Sequence, residues 1–143
     1  MSFTVAFPRT TVQLDGRALA DEDAGALEEV RVQHGLSVPS QCELAFFNPG
    51  GSLADAVPNI VGSSLRVEVQ GQGHTDPLFD GEVTAAEYAH EPSAGLRVRV
   101  RGYDVLHRLR KRQPVRAHVQ VTLADLAREL VSDLGLSVEA AEP

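Results

Sequence analysis

Most of the cationic side chains of this protein are concentrated in one segment of the sequence. Residues 97–116 carry eight Lys or Arg and one Asp or Glu, whereas the whole chain has a formal net charge of −7. A group of this kind can bind phosphate or the carboxylates of an acidic partner. The candidate assembly surface comprises Arg97, Arg99, Arg101, Arg108, Arg110, Lys111 and Arg112, with Arg116 beside it.

No pattern for catalysis, metal binding or cofactor binding accompanies these cations. The histidines lack metal-ligand spacing, and the single cysteine, Cys42, excludes a CxxC pair and an internal disulfide. Gly62-Ser63-Ser64 lacks the second glycine of a nucleophile elbow. Residues 21–23 lack EF-hand spacing and are interpreted as a solvated acidic loop. We therefore expect no catalytic residue, no metal, no cofactor and no enzymatic activity.

A predicted strand positions the first three arginines. In LRVRVRGY the residues Leu96, Val98 and Val100 alternate with the arginines. Side chains of a strand point alternately to opposite faces, so the arginines are predicted to share the outer face. A strand's outer face is often charged simply because it is solvated. A partner surface and an ordinary solvated face therefore both remain open.

Similar alternation elsewhere predicts five or six antiparallel strands, arranged as a barrel or sandwich. Asp15-Gly16 predicts a two-residue hairpin, and Gly81 suggests a bend or bulge. The predicted fold is mainly β with minor α, with a barrel domain at residues 1–103 and a helix-containing extension at 104–143. The predicted core comprises Leu65, Val67, Val69, Val83, Leu96, Val98 and Val100.

Two helices are predicted in the extension. The first is short and basic, with Asp104 as its N-cap. The second is amphipathic, spans about 123–134, and lies between Thr122 and Gly135. We expect its apolar stripe to be buried by another copy or by the flank of the barrel. The stripe comprises Leu123, Leu126, Ala127, Leu130, Val131 and Leu134.

Bulk properties narrow the class of protein. The net charge argues against a general binder of nucleic acid or membrane surfaces. No apolar run reaches the roughly 18 residues of a membrane span, and the first residues do not resemble a signal peptide. A cytoplasmic, soluble protein is the expectation.

The order of several motifs resembles a known family. These are CELAFFNP, VGSSLRVEV, LFDGEVTAAEY and VRVRGYDVLHRLRKRQPVRAHVQVTLADLARELVSDLGL, and Phe79, Gly81 and Val83 match the family's F-x-G-x-V strand. From about Val30 to Leu136 the chain resembles the N-terminal part of the phage late control protein D family. That family includes baseplate hubs of contractile tails and the hub part of VgrG spike proteins.

The resemblance implies a tail-tube-like antiparallel barrel that assembles as a ring around a channel. It implies a structural hub or hub-like adaptor, without catalytic residues, that joins the tail tube to the spike. The expected partners are further copies, with the oligomer number open, and tail-tube and spike proteins. The expected location is a phage tail or injection-system particle assembled in the cytoplasm. Family hubs usually continue into further domains, so trimeric assembly is not carried over.

Two other functions remain open from the sequence. One is a nucleic-acid-contacting module that uses Arg97–Arg116, although no interleaved aromatics offer stacking. The other is a small-ligand-binding β-barrel, which requires an interior pocket with convergent polar groups.

Overall fold

The protein is mainly antiparallel β-structure and divides into two compact units, Met1–Asp104 and Val105–Pro143. The structure is a computed structural model that describes residues 9–71, 73–112, 115 and 117–140. The two units are described separately below.

The first unit is built around a seven-stranded sheet. Its neighbouring strands pair antiparallel in the order β2-β1-β5-β6-β7-β4-β3. The strands are β1 (Arg9–Leu14), β2 (Arg17–Ala18), β3 (Leu27–Gly35), β4 (Val38–Phe47), β5 (Ser64–Gly71), β6 (His74–Glu91) and β7 (Gly95–Tyr103). The helices are α1 (Asp21–Gly25), α2 (Leu53–Ala56) and a 3-10 helix, Val57–Asn59.

The sheet is not closed, so the predicted barrel is wrong in this respect. The described strands end in two edges, β2 and β3, rather than pairing with each other. The short β2 pairs only with Gln13 and Leu14 of β1. The chain then turns into α1, which starts at Asp21, instead of continuing beside β1. A closed barrel would require the edge strands β2 and β3 to pair with each other, whereas the chain between them forms α1.

The predicted Asp15-Gly16 hairpin is confirmed. Leu14 pairs with Arg17 on either side of the two turn residues. Asp15 and Gly16 have φ angles of 49° and 74°, as the favoured two-residue hairpin turn requires. The carboxylate of Asp15 also accepts a hydrogen bond from the N–H of Ser64 at 2.9 Å. The turn is thereby attached to the start of β5.

The inner face of the sheet forms the core. Five of the seven predicted core residues are buried, whereas Val69 and Leu96 are only partly buried because they lie near strand ends. The confirmed residues are Leu65, Val67, Val83, Val98 and Val100. Leu53, Val57 and Ile60, from α2 and the segment after it, belong to the same apolar cluster.

Gly81 is needed for a close approach rather than for a bulge. The register shifts in the pairing of β6 lie between Val67 and Glu68 of β5, opposite Phe79 and Pro77, and between Val83 and Ala85 of β6, not at Gly81. A β-carbon at position 81 would collide with the backbone oxygen of Tyr103. The absence of a side chain therefore lets β6 and the end of β7 pack closely.

The acidic segment 21–23 is not simply a solvated loop, because Asp23 is buried. Its side chain is 2% exposed and accepts hydrogen bonds from the N–H groups of Gly51 at 2.9 Å and Leu53 at 3.1 Å. Ser52, at the N-cap of α2, forms no side-chain cap. A carboxylate distant in sequence thus satisfies free N–H groups at the start of this helix.

The second unit contains α3 (His107–Lys111), α4 (Leu123–Val131) and a 3-10 helix, Ser132–Leu134. The Thr122 cap is confirmed, since its Oγ1 accepts from the N–H of Asp125 at 3.1 Å. Gly135 ends the helical segment with a left-handed φ of 68°. The Asp104 cap is wrong: Leu106 is the N-cap of α3, and Asp104 Oδ2 accepts from the N–H of Ser40 at 2.8 Å.

No residue of α4 is buried. Leu123 is 85% exposed and Leu130 is 43% exposed, although both belong to the predicted apolar stripe. None of the described helices has the length and apolar character needed to cross a membrane.

Candidate assembly surface

Three arginines of the candidate assembly surface, Arg97, Arg99 and Arg101, lie on the outer face of β7. This strand is paired with β6 on one side and with β4 on the other. Val98 and Val100 point into the core and are 0% and 1% exposed, whereas Arg99 and Arg101 are exposed. The predicted alternation of this strand is therefore confirmed. The arginines project from the interior of the sheet, with a neighbouring strand on each side.

Arg101 is partly neutralised by a carboxylate on β4. Glu43 lies directly opposite Arg101, and Glu43 Oε2 is 3.4 Å from Arg101 Nε. On its other side Glu43 is in register with Arg31 of β3, which forms an ion pair with Glu29 at 2.6 Å. Positive and negative side chains therefore alternate across the outer face, as favourable cross-strand pairs do.

Arg99 differs from Arg101 because it forms no ion pair with any residue that the structure describes. Its cross-strand neighbours are Ala45 on β4 and Glu87 on β6. A shallow depression of about 60 Å³ adjoins its side chain, lined by Ala85, Ala86, Glu87, Arg99 and Arg101. The small side chains of the two alanines beside Arg99 leave this space unfilled.

Arg97 lies in a more apolar environment. Its cross-strand neighbours are Phe47 and Ala89, and the side chain is partly buried. Its Nε is buried without a hydrogen-bond acceptor among the described residues. A buried donor without an acceptor is energetically unfavourable.

The remaining predicted cations belong to the second unit. The last turn of α3 carries Arg108, Arg110 and Lys111. Arg112 follows, and its Nη1 forms an ion pair with Asp133 Oδ2 at 2.9 Å. Arg116 lies outside the described residues. The basic segment of the sequence is thus divided between β7 of one unit and α3 of the other.

Cys42 does not supply a reactive thiol to this region. It lies on β4 between Val32 and Gly102 and is fully buried. Burial, together with the smaller effect of the neighbouring Glu43 charge, raises the pKa of the Cys42 thiol to about 12. The thiolate, which is the nucleophilic form, is therefore scarce near neutral pH.

The histidines mostly take part in local polar contacts. His34 Nδ1 lies 2.9 Å from Ser40 Oγ and its Nε2 lies 3.1 Å from the backbone oxygen of Leu78. His74 Nε2 is 2.9 Å from Asp76 Oδ2. Over the described ranges, no three His, Cys, Asp or Glu side chains come together as a possible metal site.

The sequence did not predict that carboxylates of the outer face belong to the candidate assembly surface. Glu43 occurs in CELAFF, where the alternation does place it on the outer face, but the sequence does not show which strand lies beside it. The same is true of Glu87 on β6, whose neighbour Arg99 on β7 is not evident from the sequence. Only the strand order brings these carboxylates next to the arginines of β7.

Comparisons with known proteins give a similarity of fold. No protein-family model matches the chain, and no curated protein matches it. Among solved structures it is similar to the tail protein from Neisseria meningitidis MC58, with a TM-score of 0.62 and 14% sequence identity. The similarity covers 88% of this chain and 34% of that protein, so this chain spans about one third of its length. The chain is therefore similar in fold to part of a tail protein.

Proposed function

We propose that this chain is a structural hub or hub-like adaptor of a contractile injection machine, where it joins the tail tube to the spike. The machine is a phage tail, an extracellular injection system or a type VI secretion system. The observation that carries the proposal is the similarity to a tail protein over 88% of the chain. The order of motifs from Val30 to Leu136 resembles that of the hub family. This resemblance supports a hub as the specific form of the general tail role.

The outer face of β7 is the proposed contact surface. Arg99 is exposed and has no ion pair among described residues, so it can receive a carboxylate from a neighbouring molecule. One exposed ion pair contributes only about 0–1 kcal/mol, so several must act together. The proposed neighbours are further copies in a ring-like oligomer and the tube and spike proteins. No catalytic step is assigned to the chain.

The second unit supplies a second proposed contact. The apolar stripe of α4 includes Leu123 and Leu130, which are exposed in the single chain. An amphipathic helix gains most of its stability from packing of its apolar face. We propose that assembly covers this stripe, either by another copy or by a tube or spike protein.

A nucleic-acid-contacting role is less well supported by the geometry. Glu29, Glu43 and Glu87 lie on the same outer face as the arginines. These carboxylates would repel phosphates at the spacing at which the arginines would attract them. A ligand-binding barrel is likewise less well supported, because the sheet is open and its inner face is filled by the apolar cluster around Leu44, Phe46 and Val98.

Reconstitution with its neighbours tests the proposed function. The tube and spike proteins encoded in the same gene cluster are expressed with the tagged chain, and the purified particles are imaged by electron microscopy. We expect the tag between tube and spike, and we expect particles made without the chain to lack the spike. Complete particles that form without the chain and exclude it would contradict the proposal.

A further inference from the structure

The first unit carries side chains of both charges that form no ion pair within one chain. Arg99 is exposed on β7 and has no ion pair with a described residue. On α1, Asp21 and Glu22 are both exposed and likewise have no ion pair with a described residue. The same unit therefore offers a free cation on one element and two adjacent free carboxylates on another.

Most other outward carboxylates of this unit are already engaged within the chain. The engaged pairs are Glu29 with Arg31, Glu43 with Arg101, Glu68 and Asp80 with Arg66, and Asp76 with His74. Asp15 accepts a hydrogen bond from the N–H of Ser64. Glu87 lies on β6 next to Arg99 itself. The start of α1 is thus a place where neighbouring carboxylates are both free to bind a cation from outside the chain.

The strand order separates these two groups within one chain. In sequence α1 lies between β2 and β3, which are the two edges of the sheet. β7 is separated from β3 by β4, and from β2 by β6, β5 and β1. No ion pair among the described residues joins Arg99 to Asp21 or Glu22. One copy therefore leaves both groups to solvent, whereas two copies can bring the cation of one to the carboxylates of the other.

The surroundings of Arg99 have space for a carboxylate. The depression beside it has a volume of about 60 Å³, and a single bound water needs only about 10–15 Å³. Ala85 and Ala86 line it without charge, and Arg101 lines it while engaged by Glu43. The carboxylate of Glu87 also lines the depression and weakens its attraction for an anion. We therefore expect a weak, reversible contact.

We propose that copies of this chain meet head to tail, with Asp21 and Glu22 of one copy bound to Arg99 of the next. The inference rests on the proposed function and specifies its contact between copies. A second copy is the partner because one chain supplies both unpaired groups, and their charges are complementary. The two contact surfaces differ from each other, so the interface is heterologous, and its repetition gives a ring or an open filament.

Two charge-reversed variants and their mixture test the contact. Arg99→Glu removes the cation and keeps the carboxylates, whereas the double variant Asp21→Lys with Glu22→Lys does the opposite. In sedimentation velocity at low ionic strength, each variant alone should self-associate at least about tenfold more weakly than the parent, since like charges then meet. An equal mixture with one variant fluorescently labelled should form a 1:1 complex, because the intact carboxylates of the first variant can bind the intact Arg99 of the second.

Neutral variants show whether a loss comes from misfolding. Arg99→Ser, and Asp21→Asn combined with Glu22→Gln, should weaken self-association to a smaller extent and keep the circular dichroism spectrum of the parent. The matched control is Arg110→Glu, which makes the same charge change at an exposed arginine of the second unit. We expect this control to self-associate as the parent does.

Three outcomes would each overturn the head-to-tail contact. They are a parent chain that stays monomeric at low ionic strength, an equal loss in Arg110→Glu, and a mixture of folded variants that stays monomeric. The tail role is judged separately by the reconstituted particles. Spike-bearing particles that contain the chain, together with a mixture that stays monomeric, would reject this contact and leave the tail role in place.

Discussion

Arg101 on β7 faces Glu43 on β4, and the two side chains form a cross-strand ion pair in which Nε and Oε2 are 3.4 Å apart. Both side chains are partly exposed, at 44% and 26%. Exposed pairs contribute little to stability. The pair nevertheless changes what the basic strand can do, because Arg101 is already engaged within the chain while Arg99 is not.

The first prediction concerns assembly through these arginines. Changing Arg97, Arg99 and Arg101 together to Ser should weaken self-association, or binding to a tube protein, by about tenfold, since a few pairs of up to about 1 kcal/mol each are lost. Of the single changes, Arg99→Ser should have a larger effect than Arg101→Ser, because Arg99 has no ion pair among described residues. Sedimentation velocity over a salt series measures both effects.

The control for this experiment is Arg17→Ser, on the far edge of the sheet from β7. The fold should be retained in every variant, because these side chains point outward and the core is unchanged. Added salt should weaken the parent more than the triple variant, since screening acts on the charges that the variant lacks. If parent and triple variant assemble equally at every salt concentration, the arginines form an ordinary solvated face.

The second prediction concerns the core. Leu65 is 0% exposed, lies on β5 and belongs to the apolar cluster of the core. Leu65→Ala should lower the free energy of unfolding by about 2–5 kcal/mol through lost burial and the cavity it leaves. Leu36→Ala, at an exposed loop position, should change it by less than about 0.5 kcal/mol. Urea unfolding measures both, and a similar loss in the two variants would contradict the described packing.

The third prediction concerns Asp23, the buried carboxylate that caps α2. Asp23→Ala leaves the N–H groups of Gly51 and Leu53 without their acceptor and should cost about 1–3 kcal/mol of unfolding free energy. Asp21→Ala, at an exposed position in the same short helix, is the matched control. Hydrogen exchange should show faster exchange at Leu53 in the first variant only. Unchanged protection at Leu53 would show that this carboxylate is not needed to hold α2.

The fourth prediction concerns Cys42. Because it is buried with a pKa raised to about 12 from an ordinary value of 9.0, it should react with a disulfide reagent only when the chain unfolds. Above about pH 9 the unfolded chain loses a proton that the folded chain retains, so this thiol's contribution to stability decreases as pH rises from about 9 toward 12.

A Cys42→Ala variant separates this titration from the other groups that ionise at high pH. The difference in unfolding free energy between parent and variant should shrink as pH rises over that window. Rapid labelling of the folded parent at pH 8 would contradict the burial of Cys42. A difference that stays constant across the window would contradict the raised pKa.

Local patterns in the sequence were sufficient for much of the secondary structure. The alternation in LRVRVRGY identified the inner and outer faces of β7, and Asp15-Gly16 identified the hairpin between β1 and β2. Thr122 and Gly135 identified the ends of the helical segment that contains α4. These features depend on side-chain periodicity and on backbone angles of single residues, which nearest neighbours along the chain largely determine.

The tertiary structure decided which residues meet across the sheet. Strand order places Glu43 beside Arg101 and Glu87 beside Arg99, and a short β2 leaves the sheet open beside Thr10. It also buries Asp23 against α2, where a local pattern predicted only solvated charge. Such contacts join residues far apart in sequence. They depend on how all the strands pack at once, because alternation assigns each side chain to a face but does not identify the neighbouring strand.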